Sequence, residues 1–524
     1  MSSEINYSDV QGLVRFGYGW MKEAIYLLMR VKDVAAARSW LLSAPITSAV
    51  KSPSSPSTAM QVAFTAPGLK ALGVSESIIN AFSHEFVSGM AEPSRSRRLG
   101  DVKDNAPSKW KWGGYSNDAE YQNDARAREK IPHLVVMLFA KEGLLKDFEQ
   151  SSTGNLWNEA FVEVDRLETS NLDRFEPFGF ADGISQPQID WSQQRVSTSL
   201  FPVFKFQSPL GFQRDYTNVA ALGEFLLGYR NEYGKYTGRP LVDADTASAG
   251  LLPAEDAPEK RDVGRNGTYL VMRQLHQDVR GFWKFLSQQT GGDLAEAEKL
   301  AAAMVGRTKD GDPLAPFQQK PIPGIGPDPD EIRQNQFTYD GDPEGVRCPF
   351  GAHIRRTNPR NTDFPGRPNG LLGKVITMLG FVRKGFRDDL MSSVRYHRIL
   401  RRGREYGVCL SPAKAIAPAA QDEPESGIHF ICLNANILRQ FEFLQNAWIA
   451  STKFSGMTGE SDPLLGDRLA IPGCPVTSDF NLPQEGSLRR RVAGLPQFVT
   501  VQGGAYFFLP SLRALRYFAA AKTP

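Results

Sequence analysis

The chain has 524 residues, of which 41% are hydrophobic and 23% charged, an ordinary globular balance that excludes disordered and fibrous classes and predicts two or three packing units. Lys and Arg number 61 against 58 Asp and Glu, a net charge of +3, so no nucleic-acid or anionic-membrane partner is expected. No long uncharged apolar window suits a membrane-spanning helix, and the opening MSSEINYSDVQGLVRFGYGW has no basic n-region, unbroken apolar stretch or twin arginine, so a cytoplasmic location is expected.

Taken in chain order, EAIYLLMRVKDVAAARSWLLS from Glu23 to Ser43 starts as an apolar run suited to a buried strand. It then changes to helical spacing through Val34, Ala37, Trp40 and Leu41. After a surface excursion at Ser52, SPSSPST, a strand is predicted over Met60 to Thr65. HLVVMLFAKEGLLKDFEQ from His133 predicts a second strand and amphipathic helix, followed by a strand over Ala160 to Val164.

Between about Asp190 and Gly267 the chain is rich in Gly, Pro, Asp and Gln, which predicts long loops. The strand–helix pattern then returns in TYLVMRQLHQDVRGFWKFLSQQ from Thr268, with Val279, Phe282, Trp283 and Leu286 on one side of the helix. A further loop spans Asp310 to Gly351, and HFICLNANILRQFEFLQ from His429 repeats the strand and amphipathic helix. The fold class predicted is α+β: a half over residues 1–190, a loop-rich connection over 191–267 and a related half over 268–524. Each half is expected to be ferredoxin-like, a split β-α-β-β-α-β arrangement.

The cysteines Cys348, Cys409, Cys432 and Cys474 match no zinc or iron–sulfur spacing and read as reduced packing residues. Of the six histidines, His84, His133, His276, His353, His397 and His429, most have a structural reading; His133 and His429 open strand-like runs, and His276 sits where a strand turns into a helix. His353 differs, lying in CPFGAHIRRTNPR where a Pro/Gly loop feeds several cations. A neutral imidazole suits haem iron, and flanking arginines such as Arg355 suit haem propionates. In RFEPFGFADGISQPQIDW, Gly179 and Gly183 bracket Asp182; glycines permit close backbone approach to a flat ligand, although an Asp-Gly turn explains the same residues. In RYHRILRRGREYG an apolar pair precedes Arg401 and Arg402. That is either a solvated charge cluster or a buried cation beside a developing oxyanion.

Together these segments resemble the dye-decolourising peroxidase family: G-x-x-D-G in Gly179, Asp182 and Gly183, the histidine in GAHIRRTNP, and an arginine at Arg401. DVQGLVRFGYG and FICLNANILRQFEFLQNAW extend the resemblance over nearly the whole chain. It implies two ferredoxin-like halves of the dimeric α+β barrel type enclosing haem b. It also implies His353 as the iron ligand, Asp182 and Arg401 as catalytic, and Arg355, Gly183, Ile184, Ser185 and Gln186 around the cofactor. Arg401 rather than Arg402 falls where the family's arginine does relative to Tyr406-Gly407. Hydrogen peroxide and organic electron donors are the implied partners, a homo-oligomer is allowed, and Tyr396, Tyr406 and Trp448 are candidate points of electron entry. The main alternative is a haem carrier or sensor, which would need neither Asp182 nor Arg401.

Overall fold

The structure, a computed structural model, describes residues 5–114, 128–193, 216–361, 393–470 and 477–520. Cys474 lies outside them; Cys348 and Cys432 are buried unpaired thiols and Cys409 is exposed. Among the described residues no helix is long and apolar enough to cross a membrane.

The first half holds strand β1 (Glu23–Val31), helix α1 (Val34–Ser43), β2 (Thr58–Phe64), β3 (Leu134–Ala140), α2 (Leu145–Ser152) and β4 (Phe161–Glu168). The second holds β5 (Thr268–Gln277), α3 (Val279–Gln289), a short helix α4 (His353–Thr357), β6 (Leu400–Arg401), β7 (Arg404–Tyr406), β8 (Gly427–Asn434) and β9 (Val499–Leu509). In each half an Asp caps the first helix: Asp33 accepts from Ala36 N–H and Asp278 from Gly281 N–H, both at 2.8 Å, which satisfies a backbone donor the helix cannot pair itself.

Nine strands form one sheet, in the order β6-β8-β5-β9-β2-β3-β1-β4 with β7 also on β8. Each half therefore places its own four strands in the order fourth, first, third, second, as a split β-α-β-β-α-β unit does. The halves meet through β9 and β2, where Phe508 pairs with Phe64. The strand ladder ends at β4 and β6, so the expected barrel is not closed by continuous strand pairing; its two ends nevertheless curl together, with Ser170 N–H just past β4 donating to Glu405 O of β7 at 2.9 Å and His429 Nε2 of β8 lying 2.9 Å from Glu168 O of β4.

Both faces of the sheet are covered, which is why its strands read as unbroken apolar runs. On β1, Ile25, Leu27 and Met29 pack into one core and Ala24, Tyr26 and Leu28 into another. The predicted amphipathic helix after His429 is instead wound with wide π-type turns over Leu438–Glu442 and Leu444–Ala450. His429 itself lies inside β8, stacked on Tyr406 with ring centroids 4.5 Å apart.

Candidate active site

A cavity of about 310 Å³ opens on the second half's part of the sheet. Because side chains alternate along a strand, Arg273, Leu275 and Gln277 of β5 present to it together with Ile428 and Phe430 of β8 and Val499 and Val501 of β9. Arg401 lies directly opposite Cys432 on β8 and joins the same lining. The neighbouring Arg402 turns to the other side, where its guanidinium donates to Leu13 O at 2.8 Å and Val14 O at 3.1 Å.

Asp182 reaches the cavity from a loop that folds back on itself, its N–H bonded to Arg174 O at 2.9 Å. The turn needs left-handed backbone at Gly179 (φ 94°) and Gly183 (φ 73°), which glycine adopts without steric cost. Arg401 Nη1 donates to Asp182 Oδ1 at 2.7 Å, and about a third of each side chain is exposed, 32% and 33%. Burial pushes the Asp182 carboxyl up, but the Arg401 guanidinium, the Gly183 N–H and His353 outweigh it and hold the group below the usual carboxylate range. Gln186 fixes the arginine, its Oε1 accepting from Arg401 N–H at 3.0 Å. Ile184, Ser185 and Gln186 line the cavity, whereas Gly183 acts through its N–H on Asp182.

His353 begins α4. With 3.6 residues per turn, His353, Ile354, Thr357 and Asn358 share the cavity face. Two positions on, Arg355 points the opposite way, which corrects its expected place at the cofactor: it is buried against Asp342 Oδ2 (3.1 Å) and Cys348 O (2.6 Å), between the rings of Tyr339 and Phe350. His353 Nδ1 lies 2.9 Å from Asp462 Oδ2. Asp462 is fully buried and its Oδ1 accepts from Leu464 and Leu465 N–H, each at 2.9 Å. Burial pushes its carboxyl up, and His353 and Arg356 bring it net below the ordinary range. An anionic acceptor therefore holds Nδ1 as the protonated nitrogen and leaves Nε2 as the ligating one. The sequence reading missed Asp462, which lies 109 residues from its histidine in a loop without periodicity.

The reading also missed the arginines that fit an acidic cofactor. Arg307, Arg360 and Arg398 line the cavity with Tyr216. Arg307 donates to Gly311 O and Gln334 O, both at 2.7 Å, and Arg398 to Val219 O at 2.8 Å and to Thr217 O. Backbone carbonyls thus solvate Arg307 and Arg398. Burial and the Arg360 charge pull Arg307 down to about 9, and Tyr216, which burial would push up, is brought below its ordinary value by Arg360 and Arg398. A concentration of arginines, apolar walls and the Nε2 of His353 left to ligate fit a flat dianionic haem held by His353. Arg360 and Arg398 stand in segments whose histidine and distal arginine were singled out, but nothing in their spacing marks them as facing inward.

Of the aromatic residues expected to pass electrons, Tyr406 and Trp448 are buried. Tyr396, 6% exposed, stacks on Tyr233, 47% exposed, with ring centroids 4.1 Å apart and planes 14° from parallel.

No family model matches the chain. A dye-decolorizing peroxidase of Mycena epipterygia is 28% identical over 565 aligned residues, covering 99% of this chain and 88% of that protein. The multifunctional dye peroxidase of Amycolatopsis sp. is 31% identical over 365, covering 67% and 62%. Among solved structures, the fungal DyP-type peroxidase of Auricularia auricula-judae superposes with a TM-score of 0.69 at 25% identity, covering 99% of this chain and all of that one. Alignment to the Mycena protein over 99% of this chain, the fold shared with the Auricularia peroxidase and the convergence of Asp182, Arg401 and His353 on one cavity lead to one assignment: the chain belongs to the dye-decolourising peroxidase family.

Proposed function

We propose that this protein is a haem-dependent peroxidase that reduces hydrogen peroxide and oxidises bulky organic reductants, such as anthraquinone dyes and phenols, by one-electron steps. The observation that carries the reading is the Asp182–Arg401 ion pair at 2.7 Å in the same cavity as His353, since a carrier needs neither an acid–base group nor an oxyanion cation. When bound, haem b supplies the electron chemistry. The chain's residues do the rest: His353 holds the iron, and Asp182 takes the proton of the inner peroxide oxygen and returns it to the outer one. Arg401 stabilises the negative charge that develops as the two oxygens part.

The stopped-flow test is one equivalent of hydrogen peroxide added to haem-loaded protein. A Soret band that changes rapidly and is restored by an anthraquinone dye supports the reading; a ferric spectrum indifferent to peroxide sinks it.

Arg307, Arg360 and Arg398 would hold the haem propionates. A hydrogen bond to a charged group contributes about 1.5–3 kcal/mol, so Arg360→Ala is expected to shed haem to apomyoglobin about 10–100-fold faster than wild type. An unchanged transfer rate would remove Arg360 from the cofactor's partners.

Dyes too large for the cavity would pass electrons through Tyr233 and Tyr396. The expected result of Tyr233→Phe, which keeps a ring but removes the phenol, is a several-fold loss of dye turnover with the peroxide step intact. Equal dye turnover would argue for a different entry point.

A further inference from the structure

The loop that delivers Asp182 carries a second carboxyl at its tip. Between Arg174 and Asp182 the chain doubles back, with Phe175 paired to Ala181 and Glu176 N–H bonded to Phe180 O at 2.9 Å. The Glu176 side chain folds into this tip and accepts from Phe178 N–H at 3.1 Å and Phe180 N–H at 2.9 Å. It also accepts from Gln277 Nε2 on β5 at 2.7 Å. Phe178 packs on Phe282 with centroids 4.5 Å apart, and Ala181 N–H reaches Lys309 O at 2.9 Å, so the Glu176–Gln277 bond joins the hairpin to the cavity-facing side of the sheet.

This carboxyl is 8% exposed. Burial, with the Asp182 charge acting the same way, pushes it up to about 7 although three donors favour its ionised form. The other groups facing it are Cys409, a thiol pushed up by burial and by Glu176, and Lys309, which opposes that shift. A carboxyl whose folded pKa exceeds its unfolded value contributes fully below the unfolded value, ~4.3, and loses that contribution as pH rises through the folded one. Ionised Glu176 thus lowers stability at neutral pH while making the loop's best acceptor. Its contribution is to geometry.

We propose that Glu176 is a positioning residue for Asp182: it ties the tip of the hairpin to β5 and so holds the Asp182 carboxyl against Arg401. The proposal rests on Asp182 handling the peroxide proton. Without Glu176, two backbone donors and the Gln277 amide lose their acceptor, and Asp182, two residues past the tip, loses its fixed direction.

The test is the second-order rate constant of haem-loaded protein with hydrogen peroxide, measured from pH 5 to 9, with haem content and thermal midpoint as controls of folding. Because a displacement of about 1 Å can slow a reaction ~10²-fold, Glu176→Ala is expected to be about 10–100-fold slower than wild type. In an Asp182→Ala background it should cause no further loss, as for two residues acting as one unit. In wild type the rate constant should rise as Glu176 ionises near pH 7. Glu176→Gln keeps one oxygen acceptor without a titrating charge, so it should recover part of the rate and lose that inflection. Equal slowing by Glu176→Ala with and without Asp182, an undiminished rate, or an inflection that survives in Glu176→Gln overturns the proposal. If Glu176→Ala sheds its haem, the inflection in Glu176→Gln decides alone. A wild type no faster than Asp182→Ala would instead sink the reading of Asp182 itself.

Discussion

Asp182→Asn is expected to slow the reaction with hydrogen peroxide by about 10²–10⁴-fold, the usual contribution of a positioned acid–base group, while leaving haem content unchanged. The amide keeps the shape of the carboxyl and can still accept from Arg401, so the loss isolates proton transfer. Arg401→Leu should cost about 10²–10³-fold, as removal of an oxyanion donor does, and it should change the pH profile as well. In wild type Arg401 helps hold Asp182 below the usual carboxylate range, so the base stays ionised well into acid and the acid limb of the rate lies low. With the guanidinium gone, burial acts with less opposition and the limb moves to higher pH. At pH 5 the leucine variant should therefore lose more than it does at pH 7. An acid limb that stays in place in Arg401→Leu would mean that the 2.7 Å ion pair does not set the proton affinity of the reacting carboxyl.

The second large effect concerns the opposite wall. His353→Ala is expected to abolish stable haem binding, seen as loss of the Soret band after gel filtration. Asp462→Asn should retain haem but weaken it, since removing a carboxylate partner of a metal-bound histidine typically costs about 10–100-fold in metal affinity or activity. The asparagine leaves the Nδ1–H with a neutral acceptor, so the imidazole donates less electron density. The iron(III)/iron(II) potential should rise, measurable by spectroelectrochemistry without any turnover. A potential unchanged by Asp462→Asn would show that the 2.9 Å contact orients the ring without tuning it.

Much of this molecule was legible in one dimension. The apolar runs at Glu23, His133, Thr268 and His429 mark the strands because a sheet covered on both faces has no polar side to alternate with, and the helical spacing after them marks the layer that covers it. Asp182 is bracketed by glycines that its turn requires, and His353 stands at a loop-to-helix junction; both leave local traces. What the sequence could not decide is direction. Arg355 was expected at the cofactor and is turned away by the rotation of a short helix, while Arg401 and Arg402 are separated by strand alternation once the pairing with β8 is known. Asp462, Arg307 and Glu176 left no mark, because each works by meeting a group distant along the chain: His353, the cation cluster and Gln277. Periodicity and turn chemistry are local properties and a sequence displays them. Which buried charges share a low-dielectric cavity, and so shift one another, is settled only when the Asp182 loop and the His353 helix pack over one face of the sheet.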